Sequence, residues 1–217
     1  MLSVLSASLC ACTRGGGFPT VDHLTSGELL SETRALLPAD VELRPVFPPG
    51  INLTKLSESW VPHLYNDAAK YCTIGYGHLV TRAPCDGTEP PQFLKGLSKP
   101  EGSDLLVHDM GTSQYAVMQA VLVPLTDGQF AALCDFTFNV GSANFRKCTL
   151  LQLVNSKDLE RIPSQFRRWV MAGGKAWPGL KQRREREIDL FFEGISMPRG
   201  LPAPGEDLSP IDIRTGQ

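Results

Sequence analysis

Glu58 is followed nine residues later by Asp67 and fifteen residues later by Thr73, within the stretch "SESWVPHLYNDAAKYCTIGYGH". Two carboxyl groups on different elements, one near a helix end and one on the loop entering a hairpin, can face each other across a cleft. Glycosidic cleavage uses such an arrangement: a protonated acid donates to the leaving oxygen while a carboxylate assists a water or stabilises positive charge on the sugar. A hydroxyl such as that of Thr73 can position the water. To act as the acid near neutral pH, Glu58 has to be desolvated or surrounded by charges that favour its protonated form. Spacing alone does not select this chemistry. A solvent-facing helix glutamate, an Asx-turn aspartate and a β-branched strand threonine are the plain alternatives.

The acid lies near the end of a helix predicted for "INLTKLSESWVP", where Leu53, Leu56, Trp60 and then Leu64 share one stripe and Pro62 stops the helix nearby. At about 100° per residue, Glu58 falls about 140° from the middle of that stripe, off the core. "KYCTIGYGHLVTR" is aromatic and β-branched, with Gly75 and Gly77 suited to a tight, bent strand pair. Residues 83–103 are rich in turn formers and read as a long loop. Helices are expected in "DLLVHDMGTSQYAVMQAVL" and in "LTDGQFAALCDFTFNVG". The second opens with Thr126 and Gln129 in capping-box spacing and carries Phe130, Leu133, Cys134 and Phe138 on one face. "RIPSQFRRWVMAGG" reads as a helix stopped by Gly173 and Gly174, and "PGLKQRREREIDLFF" as the closing helix. The class implied is α+β.

Pro45, Pro48 and Pro49 followed by Gly50 mark a boundary. The expected organisation is an N-terminal extension, residues 1–50, with a short helix in "SGELLSETRALL"; a main domain, residues 51–195; and a flexible C-terminal tail, residues 196–217. With 217 residues, 42% of them hydrophobic, the chain can bury one sizeable core. It contains no apolar run of about 18 residues, so no stable membrane insertion is expected. Its first residues lack the basic and strongly apolar segments of a secretory signal. The net charge of −2 is uneven: from Phe145 to Asp189 eleven Lys and Arg face five Asp and Glu. A basic lobe suits an anionic polymer, and a solvated helix face also accounts for such a run. Against a nucleic-acid partner stand the lack of an aromatic-and-basic reader motif and the acidic first half. The six cysteines include no C-x-x-C, and the four histidines show no metal-ligand spacing, so neither a metal nor another cofactor is expected. Pairing of Cys72 with Cys85, or of Cys134 with Cys148, stays open, and reduced buried thiols are the simplest expectation.

"SESWVPHLYNDAAKYCTIGYGHLV" resembles the N-terminal catalytic signature of phage-type lysozymes, the endolysins of glycoside hydrolase family 24, with their Tyr-x-Asp and Thr-Ile-Gly-x-Gly-His motifs. The spacing from Glu58 to Asp67 to Thr73 matches without a gap. "LTDGQFAALCDFTFNVGSANFRKCTLLQLVN" resembles that family's buried central helix and the segment after it, and "FRRWVMAGGKAWPGLKQRREREIDLF" its closing helices. Two departures stand out: Ser59 replaces the glycine that usually follows the catalytic Glu, and Lys70 occupies a position where glycine is common. The 81–103 loop is also longer than usual.

The resemblance implies a lysozyme-like fold, a small β-hairpin lobe packed beside a mainly helical lobe with the active-site cleft between them. It implies Glu58 as general acid, Asp67 as the carboxylate aiding attack on the opposite sugar face, Thr73 beside the water, and inversion at the anomeric carbon. The implied substrate is bacterial peptidoglycan, cut between N-acetylmuramic acid and N-acetylglucosamine during host lysis. A monomer is expected, held in the host bacterial cytoplasm until holin-dependent release. Asn139 matches a cleft position where an amide can hold a sugar N-acetyl group, with helix capping as the alternative. His78 is expected to be a brace, with Asp109 as its partner, and Arg183 or Arg184 to steady Glu58. The competing reading is a catalytically inactive lysozyme-like domain that binds glycan or a partner, against which the three retained site residues argue. A lytic transglycosylase would not need Asp67 and Thr73 to manage a water.

Overall fold

The computed structural model describes residues 37–38, 40–199 and 201–217, so the helix expected within 26–37 lies almost wholly outside the described residues. Helix α1 (Pro48–Ser57) leads into an antiparallel sheet of β1 (Val61–Asn66), β2 (Cys72–Gly75) and β3 (His78–Thr81), in that order. Three helices follow, α2 (Pro91–Leu94), α3 (Lys99–Asp109) and α4 (Gly111–Ala120). The helical lobe continues with α5 (Asp127–Val140), α6 (Ser142–Lys147), α7 (Thr149–Ser156), a 3-10 turn (Leu159–Arg161) and α8 (Ile162–Arg167). A short hairpin of β4 (Met171–Ala172) and β5 (Lys175–Ala176) precedes the last helix, α9 (Pro178–Phe191). No helix among the described residues is long and apolar enough to cross a membrane.

Helix α5 is the centre of the core, and from Phe130 to Val140 every residue is buried. Its start is the expected capping box: Gln129 N donates to Thr126 Oγ1 at 3.2 Å and Thr126 N donates to Gln129 Oε1 at 3.0 Å. Phe136 meets Phe145, Phe166 and Trp169 edge to face, so one ring ties α5 to α6, α8 and the link between α8 and β4. A smaller apolar cluster of Leu64, Ile74, Cys72 and Cys85 lies under the sheet.

Several expected boundaries moved. Pro48 sits in the first turn of α1, where its missing N–H costs nothing, and the helix stops at Ser57 rather than near Pro62. Pro62 lies in β1, an edge strand that tolerates a residue without a donor. Leu56 is 72% exposed, and the buried positions of α1 are Gly50, Leu53 and Thr54. Val46 is buried in the main core and Arg44 pairs with Asp127 at 2.7 Å, so the packed domain begins before residue 51. The 83–103 stretch contains α2 and the start of α3, which Ser98 caps by accepting from Glu101 N. The helix expected over 104–122 is two helices that break at Met110. Gly173 and Gly174, with φ of 60° and 74°, form the turn of the β4–β5 hairpin instead of a helix cap.

The C-terminal segment, expected to be flexible, returns to the domain. Met171 N donates to Ile211 O at 3.2 Å, Ile213 N donates to Met171 O at 2.9 Å, and Ile213 is buried in the core. Arg168 pairs with Asp207 at 2.7 Å. Apolar burial and main-chain pairing outweigh the low regularity that its prolines and glycines impose. Cys72 and Cys85 form a disulfide that ties β2 to the following loop, correcting the expectation of reduced thiols there, whereas Cys134 and Cys148 are reduced and buried.

Gly50 marks the closest approach of α1 to α5: a Cβ there would sit 2.6 Å from Ala131 Cβ and 3.4 Å from the Ala131 backbone. Gly50→Ala is expected to lower stability by about 1–3 kcal/mol through overpacking, read as a fall in the urea midpoint at unchanged slope.

Candidate functional site

Glu58 is the residue at which α1 ends. Its N–H still donates to Thr54 O at 2.8 Å, but its backbone is extended (φ −94°, ψ 134°), which turns the chain out of the helix and toward β1. Expected off the core, the side chain is instead only 3% exposed: Glu58 follows the buried Thr54 by one helical turn, on the face that packs inward, where it is buried among charges. Arg183 of α9 donates from Nη1 to Glu58 Oε1 at 2.8 Å. The same guanidinium donates from Nε to Asp135 Oδ2 and from Nη2 to Asp135 Oδ1, both at 2.9 Å. Thr54 Oγ1 adds a 2.7 Å donation to Asp135 Oδ1. Of the two arginines considered for steadying Glu58, Arg183 does so directly. Arg184 instead donates from Nη2 to Asn139 Oδ1 at 2.7 Å and pairs with Glu187 at 2.8 Å, its guanidinium lying 4.9 Å from the centre of the Phe136 ring.

The electrostatics follow from burial inside this cluster. Burial works to raise Asp135, but the charge and hydrogen bonds of Arg183, with contributions from Glu187 and Thr54, hold it below the ordinary carboxylate range. Glu187 is pushed well above that range by burial, with adjacent Asp135 adding to the rise against the pull of Arg184 and Arg183. Burial pushes Arg184 down to about 10 despite the charge of Glu187. Burial also works to lower Arg183, yet the charges of Asp135 and Glu58 hold it above its usual value.

Asp67 and Thr73 sit on the sheet lobe, both fully buried, and are held by the backbone N–H and C=O of one residue, Tyr71. Tyr71 N donates to Asp67 Oδ1 at 2.8 Å, and Thr73 Oγ1 donates to Tyr71 O at 3.2 Å. The Asp67 side chain thus spans four residues rather than the two of an Asx turn, and its second oxygen, Oδ2, accepts no hydrogen bond among the described residues. That leaves an acceptor for a water or a developing charge. The turn is closed by Lys70, which takes a left-handed φ of 67° at the position where glycine is common, a conformation that costs a side-chain-bearing residue about 1 kcal/mol. His78 on β3 pairs with Asp109 of α3 at 2.8 Å, the brace expected of it, tying the sheet to the helices.

A cavity of about 280 Å³ has Leu56, Ser57, Ser59, Asn139, Trp177, Arg183 and Arg186 in its wall; Ser57 and Ser59 flank Glu58 in the chain, but Glu58, Asp67 and Thr73 do not line it. Asn139, expected to hold a sugar amide, thus lines the cavity while its side-chain oxygen is already taken by Arg184. Cys72, Cys85 and Glu89 converge, but the sulfurs are bonded to each other, and the Glu89 carboxylate accepts from the N–H groups of Asp86 and Gly87 at 2.9 and 3.0 Å. They do not make a metal site. Sequence reasoning missed Asp135, Glu187 and Thr54. The available signal was Asp135 itself, a lone carboxylate in the apolar run "AALCDFTFNV".

The family model described as phage lysozyme matches residues 55–187. An endolysin of Bacillus phage B103 is 35% identical over 68% of this chain and 54% of its own length. The chain thus spans about half the length of that relative. A SAR-endolysin of bacteriophage PS119 is 35% identical over 60% of this chain and 73% of its own. Among solved structures, a point mutant of P22 lysozyme superposes with a TM-score of 0.60 at 30% identity, covering 69% of this chain and 99% of that one.

Replacing Arg183 by Met leaves buried carboxyls without their counter-charge and is expected to cost about 3–5 kcal/mol at pH 7. Asp135 sits below its ordinary range in the native protein, so its contribution is present at neutral pH and lost as pH falls. Without Arg183 the buried carboxyl would rise above that range and disfavour folding as pH rises. The gap between the two proteins therefore narrows toward pH 4, as urea unfolding across pH would read.

Proposed function

The chain belongs to the phage lysozyme family, and on that premise we propose that it is an endolysin, a muramidase that hydrolyses the β-1,4 bond between N-acetylmuramic acid and N-acetylglucosamine in bacterial peptidoglycan. The observation that carries this reading is the division of labour between the lobes. Glu58 is presented from the helical side, buried and fixed by Arg183. Asp67 and Thr73 are presented from the sheet side through the backbone of Tyr71, with one Asp67 oxygen uncommitted among the described residues.

Glu58, protonated, donates to the glycosidic oxygen as the bond to the anomeric carbon breaks. Asp67 stabilises the positive charge that develops on the sugar and orients a water on the opposite face, with the Thr73 hydroxyl as a second anchor for that water. Attack by water in a single displacement inverts the anomeric centre and leaves a free reducing end. Fixed groups in a water-poor site supply the orientation at low reorganisation cost. In Asn139 the amide nitrogen is the part available to a sugar, because Arg184 occupies the oxygen. The protein works as a monomer and reaches the wall from the host cytoplasm after holin-dependent release. Its appearance outside intact cells without any holin would overturn that route.

Glu58→Gln is expected to slow clearing of purified murein or permeabilised Gram-negative cells by at least about 10²-fold with an unchanged fold. Asp67→Asn and Thr73→Ala are expected to lower the rate at similar binding. Equal rates from Glu58→Gln and the native protein would instead favour a domain that only binds glycan. Mass spectrometry of the products should show reducing ends, and 1,6-anhydro ends would assign a transglycosylase.

A further inference from the structure

Behind the candidate acid lies a cluster in which three carboxyls face two guanidiniums. Arg183 meets all three: Glu58 at 2.8 Å, Asp135 at 2.9 Å through two N–H groups, and Glu187 at 3.6 Å. Arg184 meets Glu187 at 2.8 Å. All five side chains are at most 4% exposed. In so dry a place an uncompensated charge is costly, so the favoured state is the neutral one. With both guanidiniums charged, neutrality requires two ionised carboxyls and one protonated one. Asp135 is a poor place for the proton, because it is gripped bidentately by Arg183 and accepts from Thr54. Glu187 is a good one. Apart from the Arg184 contact, neither of its oxygens accepts a well-directed hydrogen bond among the described residues, and its carboxyl lies against that of Asp135, which could accept from it.

We propose that Glu187 is a positioning residue for the candidate acid: the cluster retains one proton, Glu58 and Glu187 compete for it across Arg183, and ionisation of Glu187 is what lets Glu58 hold that proton near neutral pH. The inference rests on Glu58 being the acid. In the resting form the proton is on Glu187, the carboxyl that burial disposes to hold it. In the competent form it is on Glu58, while ionised Glu187 balances Arg184 and ionised Asp135 balances Arg183. The two acids are therefore thermodynamically coupled and titrate as a pair. Among the described residues, the other groups facing the cluster are the neutral Thr54 from α1, Asn139 and the thiol of Cys134 from α5, the last kept protonated by burial, while the Arg186 cation of α9 stands in the wall of the neighbouring cavity. On the outer side of α9, Arg167 of α8 is taken by Glu185.

Glu187→Gln keeps the shape but makes that position permanently neutral, so protonating Glu58 then leaves the cluster with a net positive charge. The alkaline limb of the pH–rate profile of murein hydrolysis is expected to move down by about 1–2 pH units, with activity at pH 8 falling about tenfold or more and activity at pH 5 staying within about twofold. Glu185→Gln, which removes a carboxylate from the same helix but outside the cluster, should leave the limb where it is. A native limb in Glu187→Gln overturns the proposal. Carboxyl-carbon NMR titration of the native protein needs no variant and no activity: the Glu58 and Glu187 signals should each move in the same two steps, and independent single steps would also overturn it. If Glu58→Gln proves fully active, the catalytic reading fails, while the NMR coupling still stands or falls by itself.

Discussion

The structure depends on the burial of Arg183. A guanidinium loses most of its hydration at 4% exposure, and only acceptors in the right places can replace what water supplied. Asp135 provides a bidentate partner from α5 and Glu58 a third acceptor from the end of α1, so a single side chain of α9 fastens the three helices that pack together. Burying an ion pair is seldom a net gain in stability, and breaking one is expensive. The cluster is better understood as a device that fixes where the Glu58 carboxyl points, at a cost that the aromatic core around Phe136 offsets.

That arrangement contrasts with what holds the sheet lobe. On the helical side Glu58 is positioned by charge, from residues far apart in sequence. On the sheet side Asp67 and Thr73 are positioned by the backbone, both through Tyr71, within a seven-residue span from Asp67 to Thr73. The disulfide from Cys72 to Cys85 and the pair from His78 to Asp109 hold that span against its surroundings. Lys70 in a left-handed conformation shows that the turn keeps its geometry even where the residue is not the one that fits most easily.

Much of this was legible in the residues. The capping box at Thr126 and Gln129, the central helix, the strand pair around Gly75 and Gly77, and the closing helix all appear where local patterns place them, because caps, apolar periodicity and turn residues act over a few positions. Readings failed where two local signals competed and distant packing chose between them. Pro62 could end a helix or sit in an edge strand, and pairing with β2 decided for the strand. Gly173 and Gly174 could cap a helix or turn a hairpin, and the pairing of Met171 with Ala176 decided for the hairpin. The last residues looked like a loose tail until Ile213 found the core.

By itself the sequence determined the α+β class, the order of the blocks and the close grouping of Asp67 with Thr73, since each is a property of neighbouring residues. Only the tertiary structure decided which arginine meets Glu58, that Cys72 reaches Cys85, and that Asp135 and Glu187 stand behind Glu58. Those partners are separated by up to 125 residues, and no local pattern encodes such a meeting. What brings the charged partners together is the packing of α1 and α9 on α5, which buries their polar side chains along with the apolar ones and requires every buried charge to find an opposite.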